Sequence, residues 1–291
     1  MLDIPTYIDS TNGADWIEIL FLLEKHKYLS KDAIESYFEE KEIKDYETIL
    51  QNTWREIENR KRILSEKYFI NTDLNGLTIE KSINKNIIYT FMLLLSSHYY
   101  YDETKLKNKD FLYATKLFER CLGDILNQYL GKAFVIGHPR PINKKNFKKC
   151  VKALCVELNE PFNSFYDYIP KSKDVKLDIV SWRPFDNRSG QPIILISCKC
   201  GRNWKDEEER IPLKLWTSYI NFRADPLLSY AIPYIISNKS DWEIISKERG
   251  IIFDRLRILN IEKSLKDASL KREVIEWNKT QIKKLKQHYL H

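Results

Sequence analysis

Two charged residues stand inside apolar runs where charge is costly. The run Lys176 to Trp182 (KLDIVSW) carries Asp178, and the run Ile193 to Cys200 (IILISCKC) carries Lys199 near its end. Both runs are rich in Ile, Val and Trp, and a polar turn containing Gly190, Pro184 and Pro192 joins them, so each reads as a strand. Side chains alternate along a strand, so Ile194, Ile196 and Cys198 face one way while Leu195, Ser197 and Lys199 face the other. Burying an unpaired carboxylate or ammonium is far more expensive than burying a neutral polar group. These two residues therefore either form a buried ion pair that holds the strands in register or are kept for chemistry. Buried pairs are rarely favoured for stability alone, which turns the argument toward chemistry. A carboxylate suits a hard divalent cation, and a lysine beside it suits a reaction that develops negative charge.

The spacing resembles a known pattern. An Asp on one strand (Leu177-Asp178-Ile179-Val180), then residue-x-Lys at the end of the next (Ser197-Cys198-Lys199), is similar to the core of the PD-(D/E)xK nucleases. That group is the restriction-endonuclease-like superfamily, and the resemblance covers roughly residues 110 to 260. In it the position two before the Lys is Glu or Asp, with Gln in some branches; here it is Ser197. The resemblance implies an α/β fold with a central mixed sheet flanked by helices, and a metal-dependent endonuclease acting on DNA. It implies Mg²⁺ or Mn²⁺ held by Asp178 and the backbone carbonyl of Cys198, with Lys199 orienting the attacking water and offsetting the developing charge. Relatives of this sort often act in bacterial restriction or anti-phage defence. Ser197 opens a second reading, a catalytically inactive nuclease-like subunit that binds nucleic acid or serves assembly in a defence complex. A third is a chain whose activity awaits a partner ATPase or helicase. A homodimer is compatible with any of them.

The missing acid directs attention to a helix. Phe111 to Leu130 carries an apolar stripe of Leu117, Phe118, Cys121, Leu122, Ile125, Leu126 and Tyr129, and Gly131 suits its stop. Glu119 flanks that stripe, whereas Arg120, Asp124 and Gln128 fall on the side expected to meet solvent. Several branches of the superfamily carry a helix glutamate that reaches the metal, so the resemblance implies Glu119 as the second acidic ligand. The plainer reading gives Glu119 a salt bridge with a nearby Lys or Arg. Glu157, Asp167 and Asp174 are weaker candidates, since nothing orients them toward the strands.

Around this core the chain divides into three stretches. Residues 1 to 85 read as a mainly helical module: an arm to residue 12, helices from Asp15, Ser30 and Asp45, then a hairpin about Asn71 to Gly76. Three helices followed by a hairpin is the plan of a winged helix. Residues 86 to 110 hold a hydrophobic helix, Ile87 to Tyr101, and a polar linker from Lys105. Residues 111 to 291 form the nuclease-like part, with strands at Ala133 to Gly137, Tyr230 to Ser237 and Gly250 to Ile258. Helices follow Pro212 and cover Trp242, and a basic helix ends the chain. Of 291 residues 43% are hydrophobic, and the net charge of +7 permits a nucleic-acid partner without requiring one. No apolar run reaches membrane-spanning length and no signal peptide is read, so a cytoplasmic chain is expected. Five cysteines at non-zinc spacings are expected to be free thiols.

Overall fold

The computed structural model describes residues 4–5, 8–23, 27–73, 75–79, 86–97, 108–136, 147–163, 175–205 and 210–289. It begins with α1 (Ser10–Leu23), β1 (Tyr28–Ser30), α2 (Lys31–Glu40), α3 (Tyr46–Leu64), β2 (Ile70–Thr72) and β3 (Gly76–Ile79). Ser30 caps α2, its side chain accepting from the Ala33 N–H at 3.2 Å. The three short strands form an antiparallel sheet with β3 in the centre, in the order β1-β3-β2. Strand β1 was not foreseen, because three residues are too few to show a period. Helix α1 starts at Ser10, inside the expected arm, where Asp9 accepts from the Thr11 and Asn12 N–H groups at 2.8 and 2.9 Å.

Helix α4 (Ile87–Ser97) is buried almost all round, as its largely apolar sequence requires. Phe91 meets Trp277 edge-on, with ring centroids 4.9 Å apart. Helix α5 (Asn108–Tyr129) starts within the stretch expected to be a linker; Lys105 to Lys107 lie outside the described residues. Gly131 ends α5 with φ of 107°.

The main sheet comprises β4 (Lys132–Val135), β5 (Ile179–Trp182), β6 (Ile193–Cys198), β7 (Leu227–Ala231) and β8 (Ile251–Phe253), in that spatial order. Strand β5 pairs antiparallel with both β4 and β6, and β6, β7 and β8 run parallel. Helices α7 (Leu213–Tyr219) and α8 (Lys239–Arg249) supply the two crossovers that parallel neighbours need. Helix α6 (Phe147–Leu158) lies between β4 and β5 in the chain, and α9 (Arg255–Ile261) and α10 (Ala268–Tyr289) follow β8. Every residue of β6 is buried. Its Ile194, Ile196 and Cys198 pack in one cluster with Leu117 and Phe118 of α5. Its Ile193 and Leu195 pack in another with Leu154 of α6 and Trp216 of α7. The molecule is thus an α/β fold with a mixed five-stranded sheet and a small antiparallel one.

Three expectations are corrected. The strand expected at Tyr230 to Ser237 sits earlier, at Leu227–Ala231, because Pro233 has no N–H with which to continue the ladder. The strand expected at Gly250 to Ile258 stops at Phe253, because Asp254 accepts from the Arg257 N–H at 2.9 Å and starts α9. The side of α5 expected to meet solvent is partly covered by the end of the chain. Arg120 grips Glu273 of α10 with two bonds of 2.6 and 2.9 Å, and Gln128 donates to the Ser264 carbonyl at 2.7 Å. Among the described residues, no helix is long and apolar enough to cross a membrane.

Candidate active site

Asp178 enters from a strained turn. Val175 and Lys176 both have positive φ, 49° and 58°, although neither is glycine. Leu177 and Val180 lie in the same core cluster although they stand three positions apart, so strict alternation breaks at the head of β5. Asp178 is 8% exposed and is bonded toward both neighbouring strands. Its N–H donates to the Ile196 carbonyl at 3.0 Å, and its carbonyl accepts from the Ile136 N–H at 2.8 Å. Its side-chain Oδ2 accepts from the Cys198 N–H at 2.8 Å. A carboxylate held by a backbone donor at the end of the adjacent strand is fixed in position before any ligand arrives.

Helix α5 supplies the second acid. Glu119 is 2% exposed, and its Oε1 lies 2.7 Å from the Lys116 Nζ, one turn earlier on the helix. The Lys116 side chain is itself only 18% exposed. The thiols of β6 and its extension are shifted by burial and by nearby charge. Burial raises the Cys198 thiol well above its ordinary value, and the charges of Asp178 and Glu119 raise it further, against Lys116. Burial does the same to Cys200, helped by Glu119 and Asp178 and opposed by a hydrogen bond with Thr115 and by Lys116. Both thiols therefore feel both carboxylates and the same lysine. Both are also protonated at neutral pH, which removes them as thiolate nucleophiles.

The other two residues of the strand motif face elsewhere. Ser197 is 3% exposed and lines a cavity of about 30 Å³ with Arg210, Tyr230, Glu248 and Arg249. Lys199 is half-buried, and its N–H continues the ladder by donating to the Ala231 carbonyl at 2.8 Å. It stands between Cys198 and Cys200, both of which pack in the α5 cluster. Alternation therefore sends the Lys199 side chain to the Ser197 side of the sheet. The structure thus bonds Asp178 to the Cys198 backbone and sets Glu119, with Lys116 beside it, on the helix that packs against the Cys198 side chain. The sequence reading passed over Lys116; the available signal was its position three residues before Glu119. Glu157 lies apart, half-exposed and 3.4 Å from Lys132, while Asp167 and Asp174 lie outside the described residues.

All five cysteines are free and buried. Among the described residues, no three His, Cys, Asp or Glu side chains stand close enough to hold a metal ion together. The candidate donors, two carboxylates and a backbone carbonyl, are hard oxygens. Such a set fits Mg²⁺ or Mn²⁺, which take oxygen ligands and keep several waters, and does not fit a closed zinc cage. Comparison with protein-family models, with curated proteins and with solved structures gave no match.

Proposed function

We propose that this chain is a Mg²⁺- or Mn²⁺-dependent endonuclease that hydrolyses DNA phosphodiester bonds on a restriction-endonuclease-like core, in bacterial defence against foreign DNA. The observation that carries the reading is Asp178 fixed by the Cys198 N–H, with Glu119 on the helix that packs against the Cys198 side chain. A long helix leading into a mixed sheet with helices on both faces supports the core assignment. The order α1-β1-α2-α3-β2-β3, with its three-stranded antiparallel sheet, supports a winged-helix DNA-binding module ahead of it.

Asp178, Glu119 and the Cys198 carbonyl would hold the cation. When bound, a divalent ion polarises a phosphate oxygen and lowers the pKa of a coordinated water. The chain's own part is to fix the two carboxylates before substrate arrives and to place a lysine where charge grows on the phosphate. Ile179, Ile194 and Ile196, all buried on the same side of the sheet, keep bulk water from the floor of the site.

A second reading is a catalytically inactive subunit that binds nucleic acid or a partner ATPase. The placement of Ser197 in a small cavity away from Glu119 favours it. Supercoiled plasmid incubated with the chain and Mg²⁺, Mn²⁺, Ca²⁺ or EDTA separates the two. Nicking or linearisation with Mg²⁺ or Mn²⁺, absent with EDTA, is expected. Cleavage that persists in EDTA would refute the metal mechanism, and the absence of cleavage in every metal would favour the second reading.

A further inference from the structure

A duplex must be held before it is cut, and the outline of a module does not decide which surface holds it. Resting on the reading above that the partner is DNA, we infer that its phosphate backbone is gripped by a basic stripe on the outer face of α10, formed by Arg272, Lys279, Lys283 and Lys286. The groove beside α3 contributes little to that grip.

The helix itself builds the stripe. At about 100° and 1.5 Å per residue, these four side chains fall within an arc of about 60° and extend about 21 Å along the axis. All four are exposed. Leu270, Val274, Trp277 and Leu285, on the opposite side of α10, are buried in the main cluster, so the stripe is locked outward. The two acids of α10 interfere little. Glu273 lies off the arc and is held by Arg120. Glu276 borders it and pairs with Lys279 at 2.7 Å, but both side chains are about two-thirds exposed, and such a pair yields readily to a phosphate. Among the described residues no carboxylate pairs with Arg272, Lys283 or Lys286. A stripe of this length reaches phosphates on both sides of a major groove about 12 Å wide.

The surface that a winged helix would offer has the wrong sign. The groove formed by α2, α3 and the turn after β2 is lined by Glu35, Glu47, Glu58 and Asp73 against Lys31 and Arg55. Lys31 already lies 3.5 Å from Glu35. Phosphates brought there meet a net negative field. An anionic lipid surface would also attract α10, but a helix that binds membranes keeps an apolar face for the bilayer, and the apolar face of α10 is spent on the core. The bond from Arg120 to Glu273 ties α10 to α5, so a duplex on the stripe is held to the helix that carries Glu119.

The test measures binding of a labelled 30-base-pair duplex to the full chain by fluorescence anisotropy, in EDTA so that nothing is cut, from about 50 to 200 mM salt. The variants are Arg272→Ala/Lys279→Ala/Lys283→Ala/Lys286→Ala, the smaller Lys283→Ala/Lys286→Ala, and Lys31→Ala/Arg55→Ala in the groove, each checked for wild-type melting. Each phosphate contact adds about 0.9 to the slope of log affinity against log salt. The fourfold variant should therefore bind at least about tenfold more weakly, with a slope shallower by about 3, and the smaller variant should lose about 2. Lys31→Ala/Arg55→Ala should stay within about twofold of wild type with an unchanged slope. A wild-type slope in both α10 variants, or a loss confined to the groove variant, would overturn the inference and leave the endonuclease reading standing. So would a wild-type chain that binds phosphatidylserine vesicles through the stripe while its duplex binding ignores it. If the slopes change as expected but no metal supports plasmid cleavage, the stripe stands and the endonuclease reading falls.

Discussion

At the scale of single residues, what could be read from the sequence was the presence of charge where charge is expensive. Asp178 and Lys199 stood out because every neighbour was apolar, and Glu119 because it bordered a buried stripe. What could not be read was which face each side chain shares, since that depends on where helices dock. The expectation set Ser197 at the site with Glu119; the fold puts α5 against Ile194, Ile196 and Cys198, and leaves Ser197 with Arg210 and Arg249. This yields a sharp contrast. Glu119→Gln keeps the shape and removes the charge, and on the proposed mechanism should lower cleavage by at least about a hundredfold, as should Asp178→Asn, because each would remove one of the two proposed charged ligands. Ser197→Ala should stay within about twofold of wild type, since it deletes a hydroxyl that faces another cavity. Initial rates of plasmid nicking measure all three. An inactive Ser197→Ala beside an active Glu119→Gln would return the role to the strand position.

At the scale of elements, periodicity located nearly every helix, and Ile- and Val-rich runs bounded by turn residues located β5 and β6. Boundaries failed where a single side chain or backbone group decides them. Proline ended β7 early, and Asp254 turned the expected last strand into three residues and a helix cap. Gly250 is the clearest such position, because it joins α8 to β8 with φ of 84° and donates its N–H to the Ser246 carbonyl at 3.0 Å. A Cβ there would lie 2.2 Å from the Leu228 carbonyl oxygen of the adjoining strand. Neither the backbone angle nor the neighbouring strand can yield cheaply. Gly250→Ala should therefore destabilise by about 2 kcal/mol or more, through both the left-handed conformation and the clash. Urea unfolding at neutral pH measures this. A midpoint equal to that of wild type would show that β8 docks less tightly than its ladder indicates.

At the scale of the whole molecule, the feature hidden from the sequence is a buried polar network whose members are up to 240 residues apart. Arg255, at the start of α9, holds Asp15 of α1 with two bonds, Nη1 to Oδ1 at 2.8 Å and Nη2 to Oδ2 at 2.9 Å. It also donates to the Pro233 carbonyl at 2.9 Å and to Ser96 Oγ at 2.6 Å. Arg60 of α3 binds Asp15 and Glu18 at 2.8 Å, and the hydroxyls of Tyr68 and Tyr89 donate to Glu18. Local pattern contains no trace of such a pairing, because Asp15, Glu18 and Arg60 each read as a charge on an amphipathic helix and Arg255 as a charge in the expected last strand. The main hydrophobic cluster likewise crosses the boundary expected near residue 85, joining Trp16 and Ile57 to Phe118 and Ile196. A chain cut at that point would lose part of its core.

The network sets the last prediction. Burial pushes the Asp15 carboxyl up, but Arg255 and Arg60 outweigh burial and hold it below its ordinary value. A depressed acid stabilises the fold above its unfolded pKa, about 4, and that stabilisation is lost as pH falls through the lower folded value. Arg255→Met leaves Asp15 buried with one cation in place of two. It should cost about 3–5 kcal/mol at pH 7, the usual penalty for breaking one partner out of a buried pair. Arg255→Lys should fall between, since a lysine keeps the charge but cannot form the two-pronged contact. The variant should also lose less further stability between pH 7 and pH 3, because part of the depression at Asp15 has already gone. Urea unfolding of wild type and Arg255→Met at both pH values measures the two effects together. A fall in stability at pH 7 with an unchanged pH dependence would mean that Arg255 ties α9 to α4 and to the segment after β7 by its hydrogen bonds to Ser96 and Pro233, and that its charge contributes little to Asp15.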